Sequence, residues 1–167
     1  MTKRAFSLLE IMIVVSVLGI LAAIVMPKLQ SESTKAKETA AKDNLRILRS
    51  AIEVYTVQHK DVPPGYPNGD TSSTPLGIAF SLQLIKATNS SGQTADPGTA
   101  GYDLGPYLSN MPANPFNKSK TTQILADNAD LPDAATGTYG WIYKPATKEI
   151  RIDWPGTDSQ GMAYYDY

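Results

Sequence analysis

Cysteine is missing from this 167-residue sequence, and histidine occurs once, at His59. The first absence removes disulfides and thiolate chemistry and leaves the redox compartment unmarked. The second removes any His-rich metal site. An excess of positive charge is missing too: 15 Lys and Arg stand against 16 Asp and Glu, for a net charge of −1. A chain so balanced offers no basic patch, which sets nucleic acid aside as the main partner. Serines, aspartates and the one histidine are present without a G-x-S-x-G elbow, an H-E-x-x-H helix or a P-loop. No enzyme is expected, and a structural or binding role is left.

What the sequence does have is concentrated at its N-terminus. The stretch "KRAFSLLEIMIVVSVLGILAAIVMP" runs from Lys3 to Pro27, relieved only by Ser7, Glu10, Ser16 and Gly19. A secretory signal has an apolar core of roughly 7–15 residues and a small-residue cleavage site. This run is longer, and no A-x-A site follows it before "MPKLQSES". Roughly 20 residues is the length that carries a helix across hydrocarbon. Lys3 and Arg4 ahead of it hold the N-terminus on the cytoplasmic side. A plain anchor would satisfy all of this and would not explain Glu10. A carboxylate at the centre of a membrane helix costs about 2.5–3.5 kcal/mol on insertion scales. Two solutions stand open: the helix dipole with snorkelling to the headgroups, or a positive charge brought close. Opposite charges ~4 Å apart are worth about 4 kcal/mol at an effective dielectric of 20.

The same residues resemble the N-terminal signature of type IV pilins and type II secretion pseudopilins. That signature is a short basic leader, a small residue, Phe, an apolar run with Glu at its fifth position, and a later proline. The resemblance implies that a prepilin peptidase cuts between Ala5 and Phe6, with Ala5 standing where the family usually has glycine. It implies N-methylation of Phe6, pairing of Glu10 with the Phe6 amine of a neighbouring subunit, and a helix kink at Pro27. The implied function is a structural subunit of a type II secretion pseudopilus, a periplasmic filament that drives protein export. Its partners would be further copies of itself, the prepilin peptidase, an inner-membrane assembly platform with its ATPase, other minor pseudopilins, and membrane lipid before extraction. The chain would span the inner membrane once, its N-terminus cytoplasmic and its head periplasmic, before entering a periplasmic pseudopilus or a cell-surface pilus. Two alternatives stand beside this reading: a type IV pilus subunit for adhesion, motility or DNA uptake, and an unprocessed, membrane-anchored periplasmic binding domain.

The remaining sequence divides accordingly. Residues 1–5 form the leader, 6–28 the transmembrane and filament-core helix, 29–60 its amphipathic continuation, and 61–167 a globular head. Ala41, Leu45, Leu48, Ile52 and Tyr55 recur at helical spacing and predict a core-facing stripe. The 15 or so residues after Pro27 show almost no stripe, as a solvated or filament-packed segment would. Glu38 and Lys42 have the spacing of an i,i+4 ion pair. "VPPGYP" stops the helix, which would extend roughly 80 Å from Phe6 to about His59. His59, in the last turn, is expected as a surface or capping residue favoured by the helix dipole.

In the head, "STPLGIAFSLQLIKA" reads as a short helix or an irregular apolar segment. "GPYLSNMPANPFN" reads as a proline-fixed linker of the pseudopilin type. "YGWIYK" and "EIRIDW" flank "PATK" as a hairpin, Ile150 and Ile152 alternating with Arg151. It is similar to the family's hairpin, with Lys148 in place of the turn glycine. "TQILA" is a candidate further strand. The expected architecture is α+β and pilin-like: one long N-terminal helix, transmembrane in its first half, packed on a small antiparallel sheet of three or four strands.

The tail "DWPGTDSQGMAYYDY" gathers Asp153, Asp158, Ser159 and Asp166. Calcium takes six to eight oxygen ligands, and the family resemblance implies a calcium site in this C-terminal loop. The spacing fits no EF-hand. A polar turn followed by aromatics covering the sheet is the competing expectation, and no other cofactor is implied.

Overall fold

The computed structural model describes residues 8–167. The proposed cut between Ala5 and Phe6 lies outside the described residues. The chain divides into two compact units, Met1–Lys37 and Glu38–Tyr167. One helix, α1 (Leu8–Gln58), contributes to both, and Pro27 lies within it.

In the first unit the described chain is helix alone. Small hydroxyl side chains there satisfy themselves locally: Ser16 Oγ donates to the Met12 carbonyl and Thr34 Oγ1 to that of Gln30. This i−4 bonding removes a free donor from an apolar surface. Further along, Lys35 pairs with Glu32 at 3.3 Å.

In the second unit the predicted stripe is the core face of α1. Ala41, Leu45, Leu48, Ile52 and Tyr55 are all buried, and Ala51 joins them. Lys60 and Asp61 then enter the left-handed region, with φ of 57° and 62°. This reversal lets the Asp61 N–H reach the Thr56 carbonyl at 3.0 Å and closes the helix. The following Pro63 and Pro64 cannot extend it.

The apolar segment after residue 75 is helical. It forms α2 (Gly77–Ile85), which buries Phe80, Gln83 and Leu84. Gly77 is required by closeness: a Cβ there would stand 2.9 Å from the Thr122 carbonyl oxygen. Gln83 ties the surrounding loops, its amide nitrogen donating to the Tyr66 and Gly92 carbonyls while its oxygen accepts from the Gly65 N–H.

Five short strands follow: β1 (Ala87–Thr88), β2 (Thr94–Ala95), β3 (Thr122–Ile124), β4 (Trp141–Lys144) and β5 (Glu149–Ile152). β1 and β2 pair antiparallel by themselves. The other three form a sheet in the order β3-β4-β5. β4 and β5 make the predicted hairpin, Trp141 opposite Ile152 and Tyr143 opposite Ile150. Lys148 adopts φ 58°, ψ 17° at its turn, the conformation a glycine would supply without strain. The "TQILA" strand exists, but it runs parallel to β4, so the sheet is mixed and not wholly antiparallel. The cause is the long connection through residues 125–140, which returns the chain to the end where β3 began. Sequence alternation carries no record of strand direction.

Being central, β4 is buried on both faces: Trp141, Ile142 and Tyr143 are all fully covered. Trp141 and Tyr143 join the α1 stripe, Phe80, Leu84, Ile150 and Ile152 in the main core. Ile142 points the other way, into a small cluster with Leu125 and Tyr165.

His59 fits the capping half of its expectation and not the surface half. It is only 2 % exposed, stacked on Tyr55 with ring centroids 3.7 Å apart, and its Nδ1 lies 2.7 Å from the Tyr55 carbonyl. Burial lowers its pKa, partly offset by hydrogen bonds to the backbone of Tyr55 and Asn89. Desolvation therefore outweighs the helix-end dipole that suggested a cation.

Leu48→Ala is expected to lower the unfolding free energy by about 2–5 kcal/mol, because a fully enclosed side chain leaves a cavity. Val57→Ala, on the exposed face of α1, should stay within about 0.5 kcal/mol. Urea titration of the full chain in detergent, followed by tryptophan fluorescence, measures both.

Candidate functional site

Residues 8–26 form a continuous apolar surface on α1. Leu8, Leu9, Ile20 and Ile24 are each more than 60 % exposed, and none of this stretch is buried. By length and composition the helix is able to cross a membrane. Apolar surface left in water is unfavourable by about 25 cal/mol per Å². A patch this large marks a membrane or protein contact. Glu10 stands in the first described turn, among exposed neighbours.

The second feature is the tail of the head, where the four candidate calcium ligands lie. They do not converge. Asp153 is wholly buried and fastens the loop before β4: Oδ1 accepts from the N–H groups of Thr136 and Gly137, Oδ2 from the Tyr139 N–H and the Thr136 hydroxyl. Asp158 lies against α1, Oδ1 accepting from the Gln160 and Met162 N–H groups, Oδ2 from the Tyr167 hydroxyl and the Lys42 ammonium. Ser159 gives both its N–H and its hydroxyl to Glu38. Asp166 faces Arg151 at 3.5 Å. Calcium needs six to eight oxygens directed at one point. Among the described residues no group of three or more acidic or histidine side chains is placed to hold a metal. The carboxylates of Asp153 and Asp158 are already filled by protein donors, Asp166 stands apart on Arg151, and the set does not fit the ion.

Burial by itself would raise the pKa of Asp158. The Tyr167 hydroxyl, the two backbone N–H groups and Lys42 outweigh it and hold the carboxyl down to about 2. Asp153 behaves likewise: desolvation raises its pKa, and the donors of Tyr139, Gly137 and Thr136 bring it below the ordinary value.

Several residues that build this region were not visible as site residues in the sequence. Glu38 and Lys42 have the spacing of a mutual pair, yet each turns to the tail. Asn114, fully buried, donates to the Gly140 and Asp153 carbonyls while its oxygen accepts from the Phe116 N–H. Trp141 Nε1 donates to the Pro112 carbonyl, so the proline-rich linker is pinned along the sheet. Asn between prolines was a signal for turn chemistry, not for which carbonyls it would meet.

Comparison with known proteins agrees with this geometry. Residues 1–26 match the prokaryotic N-terminal methylation motif. The exposed apolar helix with this motif at its start defines a prepilin-type structural subunit and not an enzyme. Over 114 residues the chain is 32 % identical to type II secretion system core protein G of Pseudomonas aeruginosa, covering 68 % of each chain. The protein of the same name from Escherichia coli K12 is 29 % identical over 68 % of this chain and 67 % of its own. A fimbrial protein of Pseudomonas aeruginosa is 30 % identical over 110 residues, 62 % of this chain and 71 % of its own. No solved structure matches the chain. The chain belongs to the type IV pilin and pseudopilin family that includes core protein G.

Asp153→Ala is expected to destabilise the head by at least about 1–3 kcal/mol, since buried N–H donors lose their acceptor. Both tail aspartates have folded pKa values below their unfolded ones. Their stabilisation is therefore complete above the ordinary carboxylate range of about 3.9 and is lost as the pH falls below it, for Asp158 toward about 2. Near-ultraviolet circular dichroism during acid titration should show the tyrosine signal collapsing in that window.

Proposed function

We propose that the chain is a subunit of a type II secretion pseudopilus. It inserts in the inner membrane through residues 6–28, with its N-terminus cytoplasmic and its head periplasmic. Prepilin peptidase removes residues 1–5, Phe6 is N-methylated, and an ATPase-driven platform extracts the subunit from lipid into a filament that serves protein export. The observation that supports this most is the identity to core protein G across two thirds of both chains, which reaches well beyond the leader motif. The fimbrial relative supports a second reading, a type IV pilus subunit with the same membrane and assembly steps. Minor pseudopilins would join the filament in the first reading.

Within the filament we assign Glu10 to pairing with the Phe6 amine of a neighbouring copy. Lipid would cover residues 8–26 as well as another helix does, but it offers a carboxylate no counter-charge. A paired amine returns about 4 kcal/mol at ~4 Å, comparable to the insertion cost, so the charge rewards one axial register of assembly. Pro27 removes one backbone hydrogen bond and gives the helix a place to bend as subunits pack.

Mass spectrometry of the protein purified from cells should find N-methylated Phe6 as the first residue; an intact Met1 would indicate an unprocessed anchor. Glu10→Leu should insert in membranes at least as well as the parent while filament yield falls at least tenfold. Normal filaments from that variant would refute the pairing. Deleting the gene should block export of secreted enzymes and leave surface pili intact; the reverse outcome selects the pilus.

A further inference from the structure

We propose that the tail of the head, residues 157–167, is locked to α1 by the Lys42 ammonium and the Glu38 carboxylate acting as a built-in clasp, and that it holds its place without calcium. This departs from what the family resemblance implies for the C-terminal loop, and it applies whichever filament the subunit builds.

The argument starts from how the oxygens are used. Glu38 on α1 and Asp158 in the tail are both buried. Their four carboxylate oxygens receive seven donors. Asp158 accepts from Gln160 N–H, Met162 N–H, Tyr167 hydroxyl and Lys42 Nζ. Glu38 accepts from Ser159 N–H, Ser159 hydroxyl and Tyr164 hydroxyl. A hard cation needs these same lone pairs, and it also draws on backbone carbonyls. Three carbonyls in and beside the tail are engaged as well: Asp158 O accepts from Gly161 N–H, Met162 O from Asp158 N–H, and Gly156 O from Tyr164 N–H.

The positive charge paired with Asp158 among the described residues is Lys42, 3.4 Å from its Oδ2. Calcium there would have to displace it. The ammonium is held on its other side by the Tyr167 ring, 4.1 Å from its centroid. That ring packs edge-on against Tyr164, which in turn lies against Phe116. Arg49 adds a hydrogen bond of 2.9 Å to the Tyr167 backbone oxygen. Helix, tail and proline-rich linker are thus joined by two cations of α1, Lys42 and Arg49, and one aromatic row. A side-chain ammonium and hydroxyls stand where a metal-dependent loop would need the ion.

The test uses the full chain purified in detergent. Thermal melts read by tyrosine near-ultraviolet dichroism should give the same melting temperature in excess calcium chloride and in excess EGTA. Calorimetric titration with calcium chloride should show no saturable binding. A rise of several degrees with calcium, or one calcium bound per chain, would overturn the proposal whatever the variants do. Lys42→Met keeps the stem over Tyr167 and removes the charge; in EGTA it should speed chymotryptic cleavage within residues 164–167 by about fivefold, as the tail opens more often. Lys42→Arg should restore the parent rate. Cleavage of Lys42→Met at the parent rate would overturn the role given to Lys42.

Discussion

The head depends on one contact, the packing of a single α1 stripe against the buried strand β4. Leu45, Leu48, Ile52 and Tyr55 supply one side, Trp141 and Tyr143 the other, and all six are enclosed. Because β4 is central, its two faces serve two clusters, and the larger one borrows Phe80 and Leu84 from α2. With so short a sheet, neither layer would be stable alone. Burial of the helix stripe and completion of the sheet are therefore one event.

Polar groups then fix what apolar packing leaves free. Hydrophobic contact alone does not specify the path of a loop of many residues. Asp153, at the end of β5, draws in the loop before β4, while Asn114 holds the proline-rich segment to the same strand ends. Both are fully buried and both are saturated, the condition under which a buried polar group favours one arrangement over its competitors. The sheet edges are managed in the same manner. β3 lies under α2, where Gly77 allows close approach, and β5 is met by Arg49, which donates to the Ile150 carbonyl at 3.2 Å. A head whose edges are covered has little tendency to associate strand to strand.

These features were legible in unequal degree. The α1 stripe, its stop at the prolines and the β4–β5 hairpin all rest on local periodicity and turn chemistry, and they were readable residue by residue. The parallel placement of β3 was not, because direction depends on where a long loop returns. The burial of His59 was missed for a related reason: its contact with the end of its own helix is a local property, whereas its enclosure depends on loops distant in sequence. The tail shows the same division. Asp153, Asp158, Ser159 and Asp166 were recognisable as a cluster in sequence, but their separate partners, Thr136 before β4, Lys42 and Glu38 on α1, and Arg151 on β5, come from three different places in the chain. A carboxylate's neighbours in space decide whether its lone pairs remain for a metal, and spacing in the tail holds no information on donors that arrive from α1.

The two halves of α1 obey opposite rules for the same reason. From Glu38 onward a polar face and an apolar face are distinct, and one chain can bury the apolar one. Over residues 8–26 the helix is apolar all round, so no single packed partner within a small head could cover it, and its environment must come from outside the chain. Hydrocarbon and a bundle of like helices are equally apolar, and apolar surface alone gives no preference between them. Under the proposed pairing, Glu10 would break that equality. In the proposed pairing, a neighbouring amine that meets this carboxylate would tilt the balance toward the bundle by about a few kcal/mol. A difference of that size would be enough to direct assembly in the proposed filament, and small enough that a subunit would still wait in a membrane until drawn out.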